Sequence, residues 1–407
     1  MKKTIHKVIL IHIPLFLLIG LFHTKLLIFD KSIDSNNSED HIIMDTNDWN
    51  NEWIDIVKIR ESIEKSIQEN NTSTWEIIIS DTVDEIIYKK DIEIAFLWDV
   101  MIGSRVWDAM DENWPDYVYG WTRDFLSEKD AVILNLETSV TDREEKINKT
   151  YTFKAKSEYL EWLKSFNKNL VVNLANNHIW DYTASWIVDT VNNLDDYKIE
   201  YFWAWKNKSE ADAVKIIEIE WVKIWLIWQT CVNPVSFWAT QNKAGNSRFN
   251  KEIILQEINR AQEDNVDIIV YNMHCWIEYT NGPNAQQVEF AHFAIDNWVD
   301  LVIWHHPHWY QPVEIYKEKL IFYSLWDYIF DIFRGRRTQE GIIANIKISD
   351  KKIIWAEIIP TYTENYWNTV ISDKKRRDFA LNELYQISKK LGNIEWIKNW
   401  TIELLLK

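Results

Sequence analysis

Short apolar runs that stop at an acid, an amide or an imidazole recur from residue 93 onward, and they constrain the fold more than any other feature of the chain. Residues 94–97 lead to Asp99, residues 131–134 to Asn135 and Glu137, and residues 170–174 to Asn176, Asn177 and His178. Residues 268–271 lead to His274 and Glu278, residues 301–303 to His305, His306 and His308, and residues 321–325 to Asp327. Apolar runs of this length read as buried strands, and the amphipathic stretches at 158–166, 184–194, 251–264 and 285–297 read as helices between them. Strand alternating with helix predicts an α/β domain. Two later β-rich segments, 342–348 and 353–359, predict a sheet that is partly antiparallel, and residues 374–390 predict a charged surface helix.

The polar ends carry the chemistry. Ligands of open α/β sheets gather at the carboxyl ends of strands. Three imidazoles within four positions, His305, His306 and His308, with Pro307 fixing the backbone between two of them, suit a metal or phosphate site. If the strands share one edge, Asp99, Glu137, Asn177, His274, His306 and His308 converge. Carboxylates, imidazoles and an amide oxygen suit Mn, Zn or Fe. A divalent ion there polarises a phosphoryl or carbonyl oxygen and lowers the pKa of bound water. His178, with Asn177 before it and Asp181 three residues on, reads either as a general acid or oxyanion contact, or as a strand-end histidine tied to Asp181. Glu278 reads either as a partner that orients a ligand or as an exposed loop acid.

A formal charge of −17 argues against nucleic acid as a partner. Cys231 and Cys275 offer no disulfide framework, and Cys275 is expected to be a buried, inert thiol. The chain has 25 Trp and 8 Gly, whereas Gly alone is usually about 7% of a protein. Trp98, Trp180, Trp203, Trp205, Trp276, Trp304 and Trp326 stand where turn glycines are expected, and an indole cannot replace glycine where φ must be positive. The pattern predicts that the source reads UGA as glycine and that this translation reads it as tryptophan.

The start is basic, Met1-Lys2-Lys3 to Lys7, then mostly apolar from Val8 to Phe22, and Leu26 to Phe29 extend the run. Residues 1–29 therefore read as an uncleaved signal or membrane anchor with the rest of the chain outside, although the apolar core falls short of the ~20 residues of a comfortable span. Residues 30–92, acidic and rich in Asn, Ser and Glu, read as a spacer with some helix near 51–68. A domain at 93–360 and a helical extension at 361–407 complete the expected organisation.

Phe96-Leu97-Trp98-Asp99-Val100-Met101, Asn135-Leu136-Glu137, Asn173 to His178 with Asp181-Tyr182, His274 with Glu278-Tyr279, His305-His306-Pro307-His308 and Tyr323 to Asp327 resemble the motifs of CapA-type capsule synthesis proteins. The resemblance spans about 93–359 and rests on several motifs in order. The family has Gly where this chain has Trp98, Trp180, Trp276, Trp304 and Trp326. The resemblance implies a metallophosphoesterase-like four-layer α/β/β/α sandwich. It also implies a role in poly-γ-glutamate or another anionic surface polymer, as a metal-dependent hydrolase or as a non-catalytic subunit of a synthesis and export complex. It places Asp99, Glu137, Asn177, His274, His306 and His308 at metal positions and His178 at the catalytic one. Three positions depart from the pattern. Met101 stands where phosphoesterases usually have His, Cys275 where the family commonly has Trp, and Asp327 where it commonly has Asn.

Overall fold

The protein was analysed as a computed structural model, which describes residues 26–30, 41–44, 75–79, 91–113, 116–144, 148–181, 184–202, 215–232, 250–331, 334–365, 367–392, 397–398 and 401–403. Two compact units divide the chain, residues 1–88 and 89–407. In the first, β1 (Leu26–Asp30) pairs antiparallel with β2 (His41–Met44) and β3 (Trp75–Ile79). Leu26 to Phe29 thus lie in a strand whose backbone groups pair along two ladders. The acidic segment likewise contributes strands to that sheet and is not only a spacer. Residues 1–25 and the helix expected near 51–68 lie outside the described residues. No helix among the described residues is long and apolar enough to cross a membrane.

The second unit is a mixed α/β fold. Its elements run β4 (Ile92–Val100), α1 (Ser104–Asn113), α2 (Asp116–Ser127), β5 (Ala131–Leu136), β6 (Ser139–Val140), β7 (Lys154–Ala155), α3 (Tyr159–Lys164), β8 (Leu170–Asn173), α4 (Ala184–Asp196) and β9 (Glu200–Phe202). They continue through β10 (Lys215–Ile219), β11 (Val222–Thr230), α5 (Lys251–Glu263), β12 (Ile268–His274), α6 (Ala285–Asp296), β13 (Leu301–His305), β14 (Val313–Tyr316) and β15 (Lys319–Phe322). Last come β16 (Glu340–Ser349), β17 (Lys352–Glu364), β18 (Asn368–Ile371), α7 (Lys374–Ser388), β19 (Ile397–Lys398) and β20 (Thr401–Glu403).

Two sheets carry the fold. One has the order β10-β11-β12-β13-β15-β14, the other β19-β20-β17-β16-β4-β5-β8-β9 with β18 beside β17. β4, β5, β8 and β9 are parallel to one another, as are β11, β12, β13 and β15. Side chains alternate across a strand, and β4 divides accordingly. Ile92, Ile94, Phe96 and Trp98 join one core with β11, β12, β13, α5 and α6, while Ala95 and Leu97 join a second core with α1 to α4. The two sheets therefore face each other, with helices on their outer sides. Local chemistry fixes the helix starts. Asn250 and Asp373 accept backbone N–H bonds at the first turns of α5 and α7, and Asn284 with Gln287 forms a capping box on α6. The C-terminal segment is not solely helical, because β20 pairs with β17 and closes that edge of the sheet.

The tryptophans divide into two groups. Trp98 and Trp304 lie inside β4 and β13, buried in extended backbone and not in turns, because those strands run further than their apolar cores suggest. Trp203 and Trp205 lie outside the described residues. Trp276, Trp298 and Trp326 have φ of 88°, 80° and 63°. After α6, the N–H of Trp298 bonds Ile295 O and that of Val299 bonds Ala294 O, which is a Schellman cap with an indole at its left-handed position. Trp298 is 74% exposed, so removing its ring forfeits little packing. Trp298→Gly is expected to raise stability by ~1 kcal/mol, the usual cost of a left-handed non-glycine residue. Chemical denaturation checks this, and an unchanged or lower midpoint would refute it.

Candidate metal centre

The parallel strands of both sheets end at one place. On the larger sheet, Asp99 of β4 stands beside Asn135 of β5, and Asn135 beside Asn173 of β8. On the smaller one, Thr230 of β11 stands beside His274 of β12, and His274 beside His305 of β13. The loops after these strands add Glu137, Asn177, His178, His306 and His308. All are buried except Asn177, which is half-buried.

Glu137, His274 and His306 each place one ligand atom within 4.8 Å of the others, and His274 Nε2 lies 3.5 Å from Glu137 Oε1. Asn177 Oδ1 lies 2.7 Å from the same ring nitrogen. Asp99 Oδ1 accepts from Asn135 Nδ2 at 2.7 Å, and His305 Nδ1 stands 3.4 Å away, its ring clasped between Trp98 and Trp228 at 4.2 and 4.3 Å. Among the described residues, no donor meets either oxygen of Glu137 or Oδ2 of Asp99. Orphaned buried carboxylate oxygens are expensive unless a cation meets them. The donor set of two carboxylates, imidazoles and an amide oxygen therefore fits a divalent ion.

The electrostatics agree. Burial, and then the neighbouring Asp99, push the Glu137 carboxyl well above the usual range. Burial alone would raise Asp99, but the imidazoles of His305, His274 and His308 outweigh it and hold the group below the carboxylate range. Burial drives His274 well below its ordinary value, and drives His306 down to about 4 and His308 to about 3. The rings are neutral at pH 7, the state in which imidazole binds metals.

His178 stands at the rim. Its Nδ1 lies 2.7 Å from Asp181 Oδ2, which also accepts from the N–H of Phe153, so Asp181 fixes the ring and leaves Nε2 facing Glu137 at 3.8 Å. The bond to Asp181 is the contact that the second reading of His178 expects, and it aims the ring. Glu278 is largely exposed, 4.0 Å from His306 Nε2, and burial raises its carboxyl.

Several residues of the pocket went unrecognised. Lys149 bonds Asp181 Oδ1 at 2.7 Å and Asn177 O at 3.0 Å, and Arg334 lies over the Tyr279 ring at 4.9 Å. Both come from irregular loops without periodicity. Asn135 ended a recognised strand, and its contact with Asp99 follows from parallel register. Met101 is no ligand, since its sulfur accepts from the Gly103 N–H. Cys275 is not a free thiol. It is bonded to Cys231, S–S 2.13 Å, because parallel pairing of β11 and β12 sets the residues after Thr230 and His274 side by side.

The Bacterial capsule synthesis protein PGA_cap family matches residues 93–332, more than half of the chain, and the protein belongs to that family. Among its relatives, the "Capsule biosynthesis protein CapA" of Bacillus anthracis is 27% identical over 66% of this chain and 67% of its own length. The "PGA biosynthesis protein CapA" of Bacillus subtilis (strain 168) is 29% identical over 60% of this chain and 65% of its own length, so the chain spans less than two thirds of it. The NAD nucleotidase (NadN) of Haemophilus influenzae aligns at 11% identity and a TM-score of 0.29, over 73% of this chain and 56% of that one. That likeness is too slight to assign the fold.

Buried groups make metal-free stability depend on pH. The raised Glu137 pKa contributes stability that is full below the ordinary carboxylate value of ~4 and is lost as pH rises from there through the raised folded value. The lowered imidazoles act oppositely: below ~6.5 the unfolded chain takes up protons that the folded chain refuses, so stability falls as pH drops. At pH 7 the metal-free protein therefore carries the Glu137 cost, and Glu137→Gln is expected to stabilise it by ~1–3 kcal/mol. Mn²⁺ should raise the wild-type melting temperature and raise that of the variant less. Calorimetry with and without Mn²⁺ checks both, and an equal Mn²⁺ gain in the variant would contradict the assignment.

Proposed function

We propose that the second unit is a metallophosphoesterase-like hydrolase acting in the synthesis or export of a capsule or poly-γ-glutamate polymer, on a phosphate ester or an amide-linked anionic chain. One observation carries the enzymatic part: Asp99, Glu137, Asn177, His274, His306 and His308 gather in one pocket with buried carboxylate oxygens that meet no hydrogen-bond donor among the described residues. Names of the Bacillus relatives support the polymer. Glu137, His274 and His306 would hold the ion, with Asn177 and Asp99 adjoining. A divalent ion supplies Lewis-acid polarisation and a more acidic water.

The chain's own residues do the rest. Lys149 and Arg334 set positive charge at the pocket mouth of a strongly acidic protein, where an anionic substrate must enter. Asp181 holds the His178 ring so that Nε2 moves a proton to or from the reacting oxygen. The buried walls exclude bulk water, which strengthens each of these interactions.

In this reading residues 1–29 tether the chain and the second unit works outside the membrane, in company with other polymer-synthesis subunits. The Cys231–Cys275 bond supports an oxidising compartment. UGA-encoded glycines at the tryptophan positions belong to the same reading. Supporting this are the positive φ of Trp276, Trp298 and Trp326 and the buried indole nitrogens of Trp98, Trp225, Trp228, Trp304 and Trp326 that meet no acceptor. The intact mass of protein from the native cell would equal the glycine form, and a mass matching the written tryptophans would refute this.

Met101, with its sulfur turned to Gly103, favours the second reading, a binding subunit with a weakened metal site. Hydrolysis of a generic phosphodiester by the Mn²⁺-loaded full chain separates the two. His178→Ala is expected to lower kcat by ~10²–10⁴-fold with metal content unchanged. Absent turnover in the wild type would favour the binding role.

A further inference from the structure

Arg334 stands at the pocket mouth without an ion-pair partner among the described residues, and Glu278 feels its charge only from further off. Other arginines are engaged. Arg336 pairs with Glu340 and Glu383, and Arg105 with Asp331. Lys149, the other cation of the mouth, spends its ammonium on Asp181 and the Asn177 carbonyl. Arg334 is exposed, so its guanidinium is open to an anion from solution.

Its position is nevertheless fixed. The guanidinium carbon lies 4.9 Å from the centre of the Tyr279 ring, and Nη2 donates to Tyr151 Oη at 3.4 Å. The backbone is held as well: Arg334 N donates to Thr338 Oγ1 at 2.8 Å, and that hydroxyl donates to Gly335 O at 2.8 Å. Gly335, at φ 117°, makes the turn that an L side chain would strain. The Tyr279 shelf is anchored in its turn. Its N–H donates to Pro307 O at 2.7 Å, and its ring lies 5.8 Å from that of His308. Its own backbone is left-handed, φ 58°, which costs free energy and places the ring there. A guanidinium laid on an aromatic face keeps N–H groups for an anion, and ordering it beforehand lowers the cost of binding.

We infer that Arg334 is a specificity-determining residue that binds a second anionic group of the substrate, a carboxylate or a phosphate, next along from the group that reaches the metal pocket. Tyr279 neighbours both the guanidinium and the His308 ring, which sets this subsite beside the pocket. His308 is buried and Arg334 exposed, so the group that Arg334 takes lies outside the reacting one. The planar fork of a guanidinium matches two oxygens of either anion. A substrate with a single anion gains little from it, and a chain of repeated anions gains a second charged contact. The inference rests on the proposed reading of the pocket and deepens it.

Isothermal titration of the full chain equilibrated with Mn²⁺ compares inorganic phosphate, a γ-linked glutamate tripeptide and a hexose bisphosphate. In Arg334→Ala the tripeptide, the bisphosphate or both are expected to bind ~10–100-fold more weakly. Phosphate, which feels only the screened loss of charge, is expected to weaken by less than about 3-fold. Which larger ligand weakens identifies the second anion as carboxylate or phosphate. Equal weakening of all three ligands, or of none, overturns the inference, as does a wild type that binds phosphate alone. Arg334→Lys keeps the charge and loses the fork, so wild-type affinity for the larger ligands in that variant would also overturn it. Phosphodiester hydrolysis by a chain whose affinities ignore Arg334→Ala would sink this inference alone. The expected losses in a chain that hydrolyses nothing would sink the hydrolase reading alone.

Discussion

Buried carboxylates that no donor among the described residues satisfies are the constraint on which the rest of this structure depends. Glu137, Asp99 and Asp327 occupy the ends of three segments whose backbones are fixed by sheet or turn bonds, so they cannot swing out to water. Taking unpaired carboxylates into a low-dielectric site costs several kcal/mol each. Neutral imidazoles cannot repay that cost, because burial also drives His274, His306 and His308 away from their charged forms. A divalent cation would resolve both problems at once, bonding acids and neutral rings together.

Topology supplies the convergence. Two sheets face each other, and in each the parallel strands deliver their carboxyl ends to the same side. Parallel register aligns Asp99 with Asn135 and Asn173 on one sheet, and Thr230 with His274 and His305 on the other. The loops beyond the strands then bend sharply. Positive φ at Trp276, Tyr279, His306, His308 and Trp326 surrounds the pocket, and left-handed backbone at non-glycine residues gathers where function holds it.

Much of this was legible in the residues themselves. Apolar runs marked β4, β5, β8, β12 and β13, and a polar residue at the end of each marked the pocket, because strand ends are few and side-chain chemistry there is exposed to selection by a ligand. What escaped did so for physical reasons. Lys149 and Arg334 reach the mouth from loops whose sequence has no period. Cys231 and Cys275 meet only through parallel pairing of β11 with β12, a tertiary register that spacing alone does not encode. Trp304 read as a turn residue because the apolar core of β13 ends before it, yet hydrogen bonding carries the strand through His305. Residues 401–403 lacked a strand pattern of their own and are extended because β17 offers them an open edge, to which residues 397–398 then add.

Anomalous diffraction from crystals grown in Mn²⁺, recorded on both sides of the manganese edge, tests the central claim most directly. An edge-dependent peak within bonding distance of Glu137, His274 and His306 is the predicted result. Crystals that show those three side chains in place with no such peak between them would contradict it.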